Sequence, residues 1–262
     1  MKVVILCGGR GMRLHEETEF KPKPLVAIGG KPILWHIMKI YSHYGHRDFI
    51  LCLGYKGQMI KDYFLNFDET HNNFTLKLGP SQKQITYHNK KSVDDWNITF
   101  VDTGLDTNTG GRIARIKDFL GRDEDFFLTY GDGVADININ ALSEYHKKAG
   151  GIATLSGVRP LTPFGVIEPV GGLVKNFTEK PQARGFVSGG FFVCNKKLFN
   201  YLAPDESCVF EQEPLRKLAA EGALAVYEHQ GFWHCLDTYK HLEDLNDFYK
   251  QGKRPWMVWE SR

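Results

Sequence analysis

Cysteine is scarce in this 262-residue sequence: there are five, far apart, and no two form a C-x-x-C pair. A disulfide framework and a structural zinc site therefore have no basis, and the five read as reduced core thiols. No apolar run approaches the roughly 20 residues of a membrane-spanning helix, and no basic stretch with an apolar segment and cleavage site opens the chain. A cytoplasmic protein with no membrane partner is expected. Excess charge is missing too, since 33 Lys+Arg face 31 Asp+Glu for a formal net charge of +2. Spread along the whole length, these charges lack the footprint of a nucleic-acid binder, so any anionic partner must be held locally. Repeats, low-complexity segments and domain-separating linkers are also absent.

What is present is ordinary globular composition, 42% hydrophobic and 24% charged, enough for one full core. Lys2 to Cys7 is a continuous apolar run stopping at Gly8-Gly9, the pattern of a strand buried on both faces. Pro32 suits a helix N1 position, and apolar residues then recur at helical spacing from Ile33 to Tyr41 until Gly45. Further strands are predicted at Phe49–Leu53 and Asp125–Thr129, a strand-like stretch over Phe74–Val101, and short glycine-rich β runs over Ile152–Cys194. Helical spacing marks Gln58–Phe64, Gly110–Phe119, Glu213–Ala220 and Tyr239–Tyr249. This alternation predicts an α/β fold, a Rossmann-like mixed, mainly parallel sheet flanked by helices.

The segment L-C-G-G-R-G-M-R-L, Leu6 to Leu14, sets three glycines and two arginines on a turn directly after the first strand. Glycine lets backbone amides approach phosphates, and arginine supplies fork-shaped donors; the plainer reading is a turn with solvent-facing arginines. A dinucleotide fingerprint fails, because its third glycine position holds Leu14 and no acid follows at the required distance. In Lys21-Pro22-Lys23-Pro24 the prolines are expected to hold Lys23 extended, its ammonium aimed at the glycine loop, unless this is only a surface loop. Gly131-Asp132-Gly133 with Asp136 places carboxylates at a strand end, where magnesium takes one or two acids plus substrate phosphates. Asp237 is the candidate second acid, and equally a candidate N-cap for the helix from Tyr239. Glu179-Lys180-Pro181 beside Gly189-Gly190 offers a cation for an acceptor's phosphate, or a surface turn. Arg112, after Gly110-Gly111, reads as a ligand or as a solvated helix start.

Taken in order, GGRGMRL, KPKP, IGGKPILWHIMKIY, YGDGVAD, EKP, SGGFFV and GFWHCLDT resemble the sugar-phosphate nucleotidyltransferase family from Met1 to about Trp259, nearest those members that use CTP and glucose 1-phosphate. The resemblance implies one domain of the nucleotide-diphospho-sugar transferase type, with residues 1–135 a nucleotide-binding half and residues 136–262 a sugar-phosphate-binding half and tail. It implies that Leu6, Cys7, Gly8, Gly9, Arg10, Gly11, Met12 and Arg13 wrap the CTP, that Lys23 holds the triphosphate, and that Thr107, Arg112 and Gly131 touch nucleotide. Asp132 and Asp237 would bind Mg²⁺, Glu179 and Lys180 would face the sugar 1-phosphate, and the chain would be a homo-oligomer. Arg13, Lys23, Asp132 and Asp237 would carry catalysis by placing and neutralising charge. Two positions depart from the family pattern: Met12 stands where threonine is usual, and Ser188 where asparagine is common before the glycine pair. The same reaction with UTP or TTP stays open, as do a GT-A-like glycosyltransferase and a non-catalytic nucleotide-binding regulator.

Overall fold

The computed structural model describes residues 1–78, 83–88, 94–162 and 164–260. Seven strands form its central sheet: β1 (Val3–Leu6), β2 (Asp48–Leu53), β3 (Asn97–Asp102), β4 (Asp125–Tyr130), β5 (Ala153–Val158), β6 (Val187–Asn195) and β7 (Leu224–Glu228). Their spatial order is β7-β5-β6-β4-β1-β2-β3. β1 pairs in parallel with both β2 and β4, β2 with β3, and β5 with β7, while β6 runs antiparallel between β4 and β5. The sheet is thus mixed and mainly parallel, as the alternation of elements implied.

Side chains of successive strand residues point to opposite faces, and β1 shows the result. Val3 and Ile5 enter one core cluster, Val4 and Leu6 the other. The first is covered by α1 (Ile33–His43), with Ile60 of α2 (Gly57–Leu65), α4 (Ile139–Ala149) and α6 (Tyr239–Lys250). The second takes Ile113 from α3 (Thr109–Ala114) and Leu218 from α5 (Glu213–Ala220). Burial on both sides explains why the strands are continuous apolar runs rather than alternating ones. From β1 the chain winds outward to β2 and β3 on one flank and places β4 on the other. Ligands of open α/β sheets bind where strand order reverses in this way, outside the carboxyl ends of the strands.

Three local expectations change. Pro32 is the residue before α1, not its first: it is extended (ψ 144°) and pairs with Ala27 in a two-residue ribbon. The helix expected over Gly110–Phe119 stops at Ala114, because the chain tightens into i→i+3 bonds at Ile116 and Phe119 and continues as a 3₁₀ turn. The strand-like stretch from Phe74 resolves into a hairpin, Asn73–Leu78 against Lys83–His88, followed by β3; residues 79–82 and 89–93 lie outside the described residues. Among the described residues no helix is long and apolar enough to cross a membrane.

Candidate active site

A cleft of about 350 Å³ opens at the carboxyl ends of β1 and β4. Its floor is the loop leaving β1. Gly11 sits at φ +62°, a left-handed conformation that favours glycine, and its carbonyl accepts from Leu14 N and Thr18 Oγ1. Gly8 is glycine for a different reason, a close approach. A Cβ there would stand 2.2 Å from Arg112 Nη1. The Arg112 guanidinium is buried and makes five hydrogen bonds: Nη1 donates to Leu53 O (3.0 Å), Thr103 Oγ1 (2.8 Å) and Gly104 O (2.7 Å), and Nη2 to Gly8 O (3.0 Å) and Leu105 O (3.2 Å). It braces the glycine loop through Gly8 O, so the solvated reading does not hold: the side chain is buried, and it also lines the cleft.

Two acids meet at the cleft's edge. Asp132 follows β4, and the three-residue strand after it, Gly133–Ala135, pairs antiparallel with Trp233–Cys235, just before Asp237. Leu236 N donates to Asp132 O at 2.8 Å, so the ribbon fixes both backbones side by side. The cap of α6 is Thr238, whose side chain accepts from His241 N, and Asp237 is left for other work. Lys23 Nζ donates to Asp132 Oδ2 at 2.7 Å and to Asp237 Oδ1 at 2.6 Å, and Arg13 Nη1 lies 3.1 Å from Asp237 Oδ2. Lys23 is not extended as expected: after an extended Pro22 it starts a 3₁₀ turn, and its ammonium bonds the two carboxylates rather than the glycine loop. Burial would lower the Lys23 pKa and raise that of Asp237, yet the charge and hydrogen bonds of Asp132 and then Asp237 win for the lysine and raise it, and those of Lys23, with the Arg13 charge, win for the aspartate and lower it.

This sequence matches the nucleotidyl transferase family over residues 2–252. The chain belongs to that family. A probable glucose-1-phosphate cytidylyltransferase of Bacillus subtilis is 50% identical over 259 residues, covering 99% of this chain and 100% of the relative. The glucose-1-phosphate cytidylyltransferase of Salmonella typhimurium is 46% identical over 261 residues, again 99% and 100%. Among solved structures, HddC of Yersinia pseudotuberculosis superposes with a TM-score of 0.69 at 22% identity, over 95% of this chain and 99% of that one. A putative glucose-1-phosphate thymidylyltransferase of Bacillus anthracis gives 0.67 at 19% identity, over 95% and 94%; both share the fold of the sheet described above.

For a nucleotidyl transferase the sequence reading gathers well. Leu6, Cys7, Gly8, Gly9, Gly11, Met12, Arg13, Lys23, Thr107, Arg112, Gly131 and Asp132 all line the cleft. Asp237 joins them through Lys23 and Arg13. Arg10 is exposed and ion-paired to Asp106 at 2.6 Å. Thr107 is buried, its hydroxyl accepting from Arg115 Nη1 at 2.8 Å. Glu179 and Lys180 do not line the cleft; they stand exposed at the end of a separate hairpin, Val166–Val170 against Leu173–Thr178. Asp136, flagged beside Asp132, pairs with His229 at 2.9 Å, at the ribbon's other end.

Pro24 and Tyr130, which belong to the KPKP and YGDGVAD motifs but were not singled out as site residues, also line the cleft, as do Asn108 and Thr109, which lie in no motif. Thr109 and Tyr130 both donate to Glu211, which ties the segment before α5 to the cleft wall. Their signal in the sequence is only position: Tyr130 is the last residue of the strand that delivers Asp132.

Proposed function

We propose that the chain transfers the cytidylyl group of CTP to α-D-glucose 1-phosphate, giving CDP-glucose and pyrophosphate. The observation that carries this reading is identity of 46–50% over nearly the whole length to glucose-1-phosphate cytidylyltransferases. The converging cations and acids of the cleft support it. In the step itself a phosphate oxygen of the sugar phosphate attacks the α-phosphorus of CTP in line, a new P–O bond forms, and the bond to the β-phosphate bridging oxygen breaks to release pyrophosphate. The attacking oxygen is already ionised at neutral pH, so no protein base is needed. What this chain contributes is placement of two anions that repel each other, with Arg13 and Lys23 reducing that repulsion and the glycine loop bringing backbone donors close. The β1 and β4 ends hold the nucleotide, and the half beyond residue 135, including Glu179 and Lys180, takes the sugar phosphate.

Asp132 and Asp237 fit a magnesium ion, since two carboxylate oxygens already converge on one cationic atom, Lys23 Nζ, and the substrate phosphates would complete the shell. When bound, the ion would neutralise charge growing on the phosphates. A homo-oligomer in the cytoplasm completes the proposal, supported by apolar side chains left exposed on the two hairpins, among them Leu76, Leu78, Leu173 and Phe177. The test is pyrophosphate release with Mg²⁺ and glucose 1-phosphate, run in parallel with CTP, UTP, TTP, ATP and GTP. Release with CTP alone is expected. Release with UTP or TTP instead would overturn the base assignment, and a CDP-glucose-consuming reaction without pyrophosphate would indicate the glycosyltransferase alternative.

A further inference from the structure

The Asp132–Lys23–Asp237 bridge raises a question of occupancy that the transfer reaction leaves open. Lys23 Nζ stands where a cation shared by both acids would stand. Magnesium binds oxygen at about 2.0–2.1 Å, shorter than the 2.6–2.7 Å of this ammonium, so an ion taking the position must draw the carboxylates inward by about half an ångström each. Ammonium and divalent ion therefore exclude one another. Neither acid is short of counter-charge in the free protein, because Lys23 and Arg13 together match their two negative charges.

Which side gives way follows from what each is tied to. The backbones of the acids are held by the ribbon pair Gly133–Cys235, by the Leu236 N to Asp132 O bond and by Asp237 N donating to His241 Nδ1 at 3.2 Å. The Lys23 backbone is also fixed, in its 3₁₀ turn with Val26 N donating to Lys23 O and prolines on both sides. Its four-carbon stem is not, and it lines the same cleft as the glycine loop. A triphosphate entering that cleft offers the ammonium new anionic partners within reach of a rotamer change.

We infer that Lys23 is a displaceable internal counter-ion: in the free protein it occupies the divalent-cation position, and it yields that position when the nucleotide's phosphates draw it away. This rests on the proposed nucleotidyl transfer and adds an order of events to it. The free protein binds divalent ions weakly, nucleotide and metal enter together, and each strengthens the other's binding by the same factor.

The test reads binding, not turnover. Mn²⁺ is titrated into the full chain without nucleotide and followed by the electron paramagnetic resonance signal of the free ion. Wild type is expected to bind weakly, Lys23→Met at least tenfold more tightly, and Lys23→Arg as weakly as wild type. Arg13→Gln, which removes a cation of the same charge from the outer oxygen of Asp237, should change affinity by less than threefold. Adding α,β-methylene-CTP should tighten Mn²⁺ binding at least tenfold in wild type and by a smaller factor in Lys23→Met. Circular dichroism checks folding, with Lys23→Gln in reserve if Lys23→Met does not fold. Equal affinities of wild type and Lys23→Met, or an equal gain from Arg13→Gln, would overturn the exchange. Pyrophosphate release by wild type alongside either result would leave the reaction standing and only the order of events refuted. Conversely, Lys23-dependent Mn²⁺ binding with no release from any nucleotide would support the exchange and overturn the reaction.

Discussion

Arg112 and Gly8 should behave as one thermodynamic unit. Replacing Arg112 with leucine removes five hydrogen bonds, but their loss is unequal. Leu53 O keeps Thr103 N and Thr103 Oγ1 as donors, and Gly8 O keeps Tyr55 N. The carbonyls of Gly104 and Leu105 have no second donor among the bonds of the described residues. A buried acceptor stripped of its donor costs about 1–3 kcal/mol, and these two are part-buried, so Arg112→Leu should cost about 3 kcal/mol. For a chain of this size that lowers Tm by roughly 6–12 °C. Gly8→Ala should cost a similar amount in the wild type, because the new methyl would displace the guanidinium from the same bonds. The backbone at Gly8 is not among the positive-φ positions, so alanine is otherwise tolerated there. In the Arg112→Leu background Gly8→Ala should then cost under about 1 kcal/mol, a coupling of about 2 kcal/mol. Urea denaturation of the four proteins, followed by circular dichroism, measures the cycle. Costs that add to within about 0.5 kcal/mol would refute the claim that this arginine, rather than backbone strain, dictates glycine at position 8.

Asp132→Asn and Asp237→Asn should each cut pyrophosphate release by about 10²-fold or more while leaving the far-ultraviolet spectrum unchanged, and a folded Asp132→Asn protein with near-normal release would contradict the metal assignment. Thr238→Ala removes the side-chain cap of α6 and should cost about 1 kcal/mol in urea denaturation, whereas an unchanged midpoint would return the cap to Asp237. His36 is held to a pKa of about 4 by burial, with the Lys31 charge assisting and the bond to Ile28 O opposing. Unfolded, it protonates near 6.5, so the unfolded state takes up the proton first and stability falls as pH drops from about 6.5 towards 4, by about 3 kcal/mol in the limit. His36→Gln should flatten that slope, and parallel slopes for the two proteins from pH 7 to 4.5 would count against it.

Much of the fold was legible because its strands are buried on both faces and stopped by glycine. β1 and β4 announce themselves as apolar runs, and the breaks that end them, Gly8-Gly9 and Gly131-Asp132-Gly133, are the two places where the cleft forms. Side-chain choices settled by distant partners were not legible. That Arg112 is a buried brace and not a solvated helix start depends on Gly8, 104 residues away. Whether Asp237 or Thr238 caps α6 depends on a ribbon whose other strand begins at Gly133. Lys23 could be placed near the glycine loop from its prolines, but its grip on acids 109 and 214 positions away is a property of the assembled sheet. The EKP motif shows the reverse: a clear local signature in Glu179 and Lys180 that this arrangement leaves outside the cleft.

The ribbon that aligns Asp132 with Asp237 also sets the order in which the cleft is assembled along the chain. A nascent chain that has emerged as far as β7 already possesses the glycine loop, Lys23, Arg112 and the first acid, yet Asp237 has still to be synthesised. Until Trp233–Cys235 docks beside Gly133–Ala135, Lys23 holds one carboxylate instead of two. The bridge between the two acids is thus the last part of the cleft to be completed as the chain is made.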